Sequence, residues 1–238
     1  QSATLAVMDI LDAARVAAAT PYPALIEALA DAFAGRTACT APPRGHHAVV
    51  RPGEADRTLL VMPSWGADGG VVVKLVNAVP GNLDRGLPSI MGQVLLSDPE
   101  TGAWQALLDG SELTARRTAA ASALAARYLA RAEAATMAML GTGRLSRALI
   151  EAMATIRPIR RVRVWGRTAA HAEAVAAWAR GAGFAAEACD REAAVRGADI
   201  VSCATLSTDP LVPGAWLEPG MHLDLVGAFK PSMRECDA

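Results

Sequence analysis

Residues 139–149 read MLGTGRLSRAL, and they decide the fold. Gly141, Gly143 and Ser146 fill a G-x-G-x-x-(G/A/S) pattern directly after the apolar run ATMAML and at the start of a helical pattern, RLSRALIEAMATI. A glycine at the first position permits a tight turn, and one at the second lets backbone amides approach a pyrophosphate. The small Ser146 lets helix and strand pack closely. With Thr142, Arg144 and Leu145 between them, residues 141–146 form the candidate phosphate-binding segment. Such a pattern is weak alone; its place between a strand and a helix makes it specific.

Outward from this loop the chain alternates β-α-β-α-β. Strands are expected at ATMAML, RVRVWG, FAAEA, ADIVSCAT and MHLDLVGA, with helices at RLSRALIEAMATI, AAHAEAVAAWAR and REAAVRG. This alternation implies a parallel sheet with right-handed crossovers. The second strand ends Val164-Trp165-Gly166-Arg167-Thr168, with no acid before Glu173. An NAD site usually places an acid there for the ribose 2′-hydroxyl, whereas Arg167 and the Thr168 hydroxyl suit a 2′-phosphate. NADP(H) is therefore the preferred cofactor and NAD(H) the possible alternative, with Gly166, Arg167 and Thr168 in the cofactor set. Ala204, Thr205, Val226 and Gly227, with Cys203 beside them, end two later strands and are expected to border the nicotinamide.

The first half has a different period. Helix patterns ILDAARVAAA and ALIEALADAFAG precede short β-type runs, HHAVVR, TLLVMPS, GVVVKLVNAV, MGQVLLSD and AWQALLD. SDPETGAW is the hairpin turn between the last two. A long alanine-rich helix follows, SELTARRTAAASALAARYLAR, with Ser111 or Thr114 as N-cap. The expected fold class is α/β: a Rossmann-type parallel-sheet domain over 113–238, plus an α+β domain over 1–112.

With 238 residues and a net charge of −1, the chain has no basic face for nucleic acid and no acidic tail. No apolar stretch reaches the length of a membrane span, and QSATLAVMDI lacks the order of a signal peptide. Cys39, Cys189, Cys203 and Cys236 are widely spaced without a CxxC, which suits reduced thiols in a cytoplasm. Among 23 basic residues only Lys74 and Lys230 are lysine. Lys74 interrupts the apolar stretch GVVVKLVNA at 70–78. A buried ammonium is costly unless it is paired or has a job, and the bland alternative is a side chain that snorkels into solvent.

Residues from both halves resemble the ornithine cyclodeaminase/mu-crystallin family. They are NLDRGLPSIMGQVLLSDPETGAWQALLDGSELTARRTAAASALAARYLAR at 82–131, LGTGRLS at 140–146, PPR at 42–44, KLVN at 74–77 and VGAFKPSMRE at 226–235. The resemblance runs from about residue 5 to the end. It implies a Rossmann domain, a substrate and dimerisation domain in the first half, and a homodimer. Family members run several dozen residues further, so the closing part of the substrate domain is expected to be absent here. The implied chemistry lies at a carbon–nitrogen bond next to a carboxylate, which two arginines and a lysine bind; these match Arg44, Arg117 and Lys74. Guanidinium groups suit bidentate carboxylate binding, and Pro42-Pro43 stiffens the loop before Arg44. Arg117 falls in the first helical turn if Thr114 is the cap, where the helix N-terminus adds positive potential. Thr118 is placed beside cofactor or substrate, and Asn77 is a further candidate for orienting either one.

One position separates activities within the family. Cyclodeaminases carry an aspartate two residues after the glycine of VG-x-D-x-P, and here Phe229 stands in its place. Phenylalanine cannot accept a proton, but it offers an apolar wall to a ring. The wording GAFKPSMRE resembles the reductases of cyclic ketimines, which convert Δ1-pyrroline-2-carboxylate and Δ1-piperideine-2-carboxylate to proline and pipecolate. The resemblance thus implies a small imino-acid substrate. Lys74, or a water it holds, would protonate the imine nitrogen. Alternatives are an alanine dehydrogenase-like enzyme, an ornithine cyclodeaminase, and a non-catalytic mu-crystallin-like protein binding NADPH and a small ligand. His46 and His47, being adjacent on a strand, point to opposite sides and cannot share a metal easily, so no metal is expected. Trp65 is read as core or as packing near the substrate.

Overall fold

The computed structural model describes residues 7–52, 57–228 and 231–237. It divides into two compact units, one holding residues up to Pro21 and Ala30–Thr114, the other Tyr22–Leu29 and Ala115–Ala238. The elements of the first half are β1 (Asp9–Leu11), α1 (Ala13–Ala19), α2 (Tyr22–Phe33), β2 (Cys39–Thr40), β3 (Gly45–Val49), β4 (Arg57–Gly66), β5 (Val71–Ala78), β6 (Ile90–Ser97) and β7 (Trp104–Asp109). They are followed by α3 (Gly110–Leu129), β8 (Thr136–Leu140), α4 (Arg144–Ile156), β9 (Arg161–Trp165), α5 (Ala169–Gly181), β10 (Ala185–Ala188), α6 (Arg191–Val195), β11 (Ile200–Cys203) and β12 (His222–Leu225).

The first unit is built on a seven-stranded sheet in the order β1-β7-β6-β5-β4-β2, with β3 also paired to β4. Every pairing is antiparallel except that of β1 with β7. One face is apolar by alternation: Val94, Leu108 and Val16 are buried, with Leu11, Val72, Leu96 and Leu113 packed against them. The β6–β7 hairpin turns at SDPETGAW as expected. There the Asp98 carboxylate accepts the Thr101 N–H and hydroxyl, both at 2.8 Å, and Gly102 takes φ of +70°.

The helix cap differs from expectation. Asp109, the last residue of β7, accepts the Glu112 N–H at 2.7 Å, so α3 begins without a loop at Gly110. A Cβ on Gly110 would lie 2.7 Å from the Gln93 nitrogen, so only glycine lets the helix start against β6. Neither Ser111 nor Thr114 caps, and the Thr114 hydroxyl donates back to the Gly110 carbonyl at 2.5 Å. Arg117 consequently stands beyond the first turn, and the helix-terminus potential no longer argues for its role.

The second unit has a five-stranded parallel sheet ordered β10-β9-β8-β11-β12, the 3-2-1-4-5 winding of a Rossmann-type half. Residues of β11 are wholly buried, and α4 covers the sheet with Leu149, Ile150 and Met153. The start of α2 groups here because Tyr22 and Ile26 are buried and the Arg116 guanidinium lies 4.2 Å over the Tyr22 ring. Arg157 donates to the Ala126, Arg127 and Ala130 carbonyls, placing a cation at the C-terminal end of α3.

Asp224 on β12 is held inside this unit, accepting the Ser202 hydroxyl at 2.7 Å and the Ser122 hydroxyl at 2.9 Å. Burial raises its carboxyl above the usual range, and the two hydroxyls with His222 offset this in part. A carboxyl raised in the folded state binds its proton more readily folded than unfolded. Its contribution to stability therefore falls as pH rises through the folded pKa, and the loss persists at neutral pH. Asp224→Asn offers an acceptor and a donor to the two serines without a charge. It should raise the melting temperature at pH 7, and the gain should vanish as pH falls below about 4, as measured by thermal melts across pH.

Candidate active site

In the second unit, the turn after β8 is shaped by close backbone approach. Gly141 has φ of +117° and donates to the Trp165 carbonyl at 2.9 Å. A Cβ there would come within 2.5 Å of the Ala204 carbonyl oxygen. Gly166 is confined in the same way, since its Cβ would sit 2.5 Å from the Thr142 methyl group. The buried Ser146 donates its hydroxyl to the Gly143 carbonyl at 2.7 Å, closing the loop on α4. Gly143 is different. It occupies the N-cap of α4 with no side-chain cap, and a Cβ on it would meet nothing within 4 Å. That open side, at a helix N-terminus, fits a pyrophosphate and would be filled by any larger residue.

The loop opens onto a cleft of about 480 Å³. Gly141, Thr142 and Gly143 line it from β8, Gly166, Arg167 and Thr168 from the end of β9, and Ala204 and Thr205 from the end of β11. The volume lies within the range of small-molecule sites, and the cleft sits at the carboxyl ends of the strands where the winding reverses. Arg144 and Leu145 form the first turn of α4. Val226 and Gly227 follow β12, and the Val226 N–H donates to the Cys203 carbonyl at 2.9 Å. Burial pushes the Cys203 thiol up, with the charges of Glu235 and Asp224 adding to it.

Three features of this cleft are missing from the sequence prediction. His171, in the first turn of α5, and the loop from Leu206 to Asp209 also line it. They are loop and helix-start residues, exposed except for the half-buried Ser207, with no pattern to mark them. The third is Glu235, only 2% exposed, whose carboxylate accepts the Thr205 N–H and hydroxyl and the Gly227 N–H. Its partners lie 30 and 8 residues away along the chain, so no local signal could reveal it.

In the first unit, Lys74 stands on the apolar face of β5, level with Met62 on one side and Val94 and Leu108 on the other. Its ammonium does not snorkel. It is half-buried and donates to the Thr114 hydroxyl at 2.6 Å. Arg44 is exposed and immediately precedes Gly45, which pairs with Val61. It therefore falls at the level of Lys74, two strands away, roughly 10 Å by strand spacing. His46 opposes Leu60 and so shares the face of Lys74 and Val76, while His47 faces the other way.

Asn77 is three residues from Lys74 along a regular strand, so it projects from the opposite face. The two do not meet around one substrate group. Trp65 lies on that opposite face too and is 40% exposed, hence not core. Of the consecutive arginines in α3, Arg116 is buried over Tyr22, while Arg117 is exposed and Thr118 half-buried. Phe229 lies outside the described residues.

A parallel sheet wound 3-2-1-4-5 with a glycine loop at its switch point defines a dinucleotide-binding protein of the Rossmann type. The chain belongs to the ornithine cyclodeaminase/mu-crystallin family, whose profile matches residues 6–238. It is 37% identical over 236 residues to a Δ1-pyrroline-2-carboxylate/Δ1-piperideine-2-carboxylate reductase of Azospirillum brasilense, a match covering 98% of this chain and 74% of that protein. The structure of Thermococcus litoralis Δ1-pyrroline-2-carboxylate reductase, in complex with NADH and L-proline, superposes with a TM-score of 0.83 at 30% identity. That match covers 97% of this chain and 72% of the other. An archaeal alanine dehydrogenase dimer with bound NAD gives 0.82 at 29% identity, covering 97% and 70%. Against other curated relatives the chain spans 67%, 62% and 58% of their length.

Because Gly143 has open space and an ordinary φ of −78°, Gly143→Ala should fold with an unchanged melting temperature. Its methyl group should nonetheless weaken binding of NADPH and NADH alike by at least about tenfold, measured by fluorescence titration.

Proposed function

We propose that the protein reduces a cyclic ketimine carboxylate, Δ1-pyrroline-2-carboxylate or Δ1-piperideine-2-carboxylate, to proline or pipecolate. The observation that carries this reading is the similarity, along 98% of the chain, to a reductase of both imines. A neighbour of the same fold that holds NADH and L-proline supports it. NADP(H) is the proposed preferred cofactor, since Arg167 and Thr168 line the cleft where an NAD site usually carries an acid. The nicotinamide, when bound, supplies hydride to the imine carbon.

The chain's own residues hold and protonate the substrate. Arg44 and Arg117 take the carboxylate as bidentate donors, and Thr118 orients cofactor or substrate. Lys74 delivers a proton to the imine nitrogen, directly or through water, from an ammonium oriented by the Thr114 hydroxyl. An amine can give up a proton at accessible pH and a guanidinium cannot, which accounts for lysine at this position in an arginine-rich chain. Phe229 supplies an apolar wall to the ring. The protein acts as a homodimer in the cytoplasm, a reading supported by the dimeric alanine dehydrogenase neighbour and by four free cysteines.

That neighbour also favours a second reading, reduction of an open-chain imino acid with nearly the same residues. Phe229 argues against ornithine cyclodeamination, and the retained Arg44, Lys74 and Arg117 argue against a binding-only protein. The deciding assay follows NADPH oxidation with the two cyclic imines, with pyruvate plus ammonia, and with ornithine and NAD. Faster turnover of the cyclic imines supports the proposal, whereas conversion of ornithine to proline with release of ammonia overturns it. Lys74→Met should lower kcat by at least about a hundredfold while nucleotide affinity stays within about twofold. Arg167→Ala should weaken NADPH binding by roughly 10- to 100-fold and NADH binding little, as titrations of each would read.

A further inference from the structure

Glu235 has no part in the chemistry above, yet it is among the most buried charged side chains described, at 2% exposure. Its Oε1 accepts the Thr205 N–H and the Thr205 hydroxyl, each at 2.7 Å, and its Oε2 accepts the Gly227 N–H at 2.8 Å. Two of these donors are backbone amides, which only donate, so three hydrogen bonds converge on the two carboxylate oxygens. No cation pairs with Glu235 among the described residues. Space is filled around it as well: a Cβ on Gly227 would meet Glu235 Oε1 at 2.4 Å and the Thr205 carbonyl at 2.1 Å. The Glu235 carbonyl in turn accepts the Leu211 and Val212 N–H groups at 2.9 and 3.0 Å, tying in the far end of the loop that lines the cleft.

Thr205 and Gly227 follow β11 and β12, the two strand ends that border the nicotinamide under the proposed function, on which this inference rests. We infer that Glu235 is a positioning residue that locks both strand ends, and that its buried charge, without a cation partner among the described residues, biases the nicotinamide subsite toward the oxidised, cationic ring. In the reaction, hydride leaves C4 of the dihydronicotinamide with its electron pair and bonds to the imine carbon. The imine nitrogen takes a proton, and the nicotinamide is left as a pyridinium carrying one positive charge. A buried anion close to that ring stabilises product cofactor over reactant cofactor and so drives hydride outward.

The test compares dissociation constants for NADP+ and NADPH in wild type, Glu235→Gln and Glu235→Asp. Glu235→Gln should raise the ratio Kd(NADP+)/Kd(NADPH) by at least about tenfold. Glu235→Asp keeps the charge and should leave the ratio within about twofold, even as both affinities fall. Equal weakening of both nucleotides in Glu235→Gln overturns the electrostatic assignment and reduces Glu235 to loop packing. Should Glu235→Gln fail to fold, wild type alone decides: NADPH binding more than about tenfold tighter than NADP+ overturns the inference, and NADP+ binding at least equally tight supports it. The expected ratios in a protein that reduces no imine overturn the reductase reading and leave this assignment standing.

Discussion

Where β8 passes into α4, the backbone at Gly141 runs so close to the Ala204 carbonyl that a methyl group would lie 2.5 Å from it. This contact joins the ends of β8 and β11, the two strands between which the winding reverses. The rest of the cleft depends on it. With β8 and β11 held together at their carboxyl ends, the loops that follow must part, one into α4 and the other toward Leu211. The cleft is the space between them. Ser146, bonded back to Gly143, keeps the first loop tight, and Glu235 keeps the second in place.

Lys74 shows the same economy of placement in the first unit. A lysine on the apolar face of a sheet is costly unless something receives its ammonium. The hydroxyl that receives it belongs to Thr114, in a helix that begins directly at the end of β7. The glycine that permits this junction, Gly110, is therefore as much a part of the lysine's setting as Thr114 is. Replacing the loopless junction by an ordinary turn would carry Thr114 away from β5.

Much of the architecture could be read from periodicity. The β-α-β-α-β alternation marked every element of the parallel sheet, because strands buried on both faces and helices buried on one have different periods. The cleft-lining residues Gly141, Gly143, Gly166, Arg167 and Thr168 are visible in the sequence because they fall at the ends of strands that can be counted. The cap of α3 is hidden from the sequence because Asp109 reads as a strand residue, and a strand's last residue can also be a helix's first cap. Asn77 and Lys74 share the stretch KLVN that carries part of the family resemblance, but a spacing of three in a strand puts the two on opposite faces. His171 and Asp209 carried no signal at all, being polar residues on exposed segments.

The sequence by itself determined the class of fold, the position of the glycine loop and the absence of an acid at the end of β9. Each is a local property, set by periodicity or by a few adjacent residues. Only the tertiary structure decided that Lys74 has a hydroxyl partner 40 residues away, that Arg116 rather than Arg117 is the buried arginine, and that Glu235 joins two strand ends. The physical reason is common to all three. A charge inside a protein is tolerable only where donors or acceptors converge on it, and convergence is a matter of which strands and helices become neighbours.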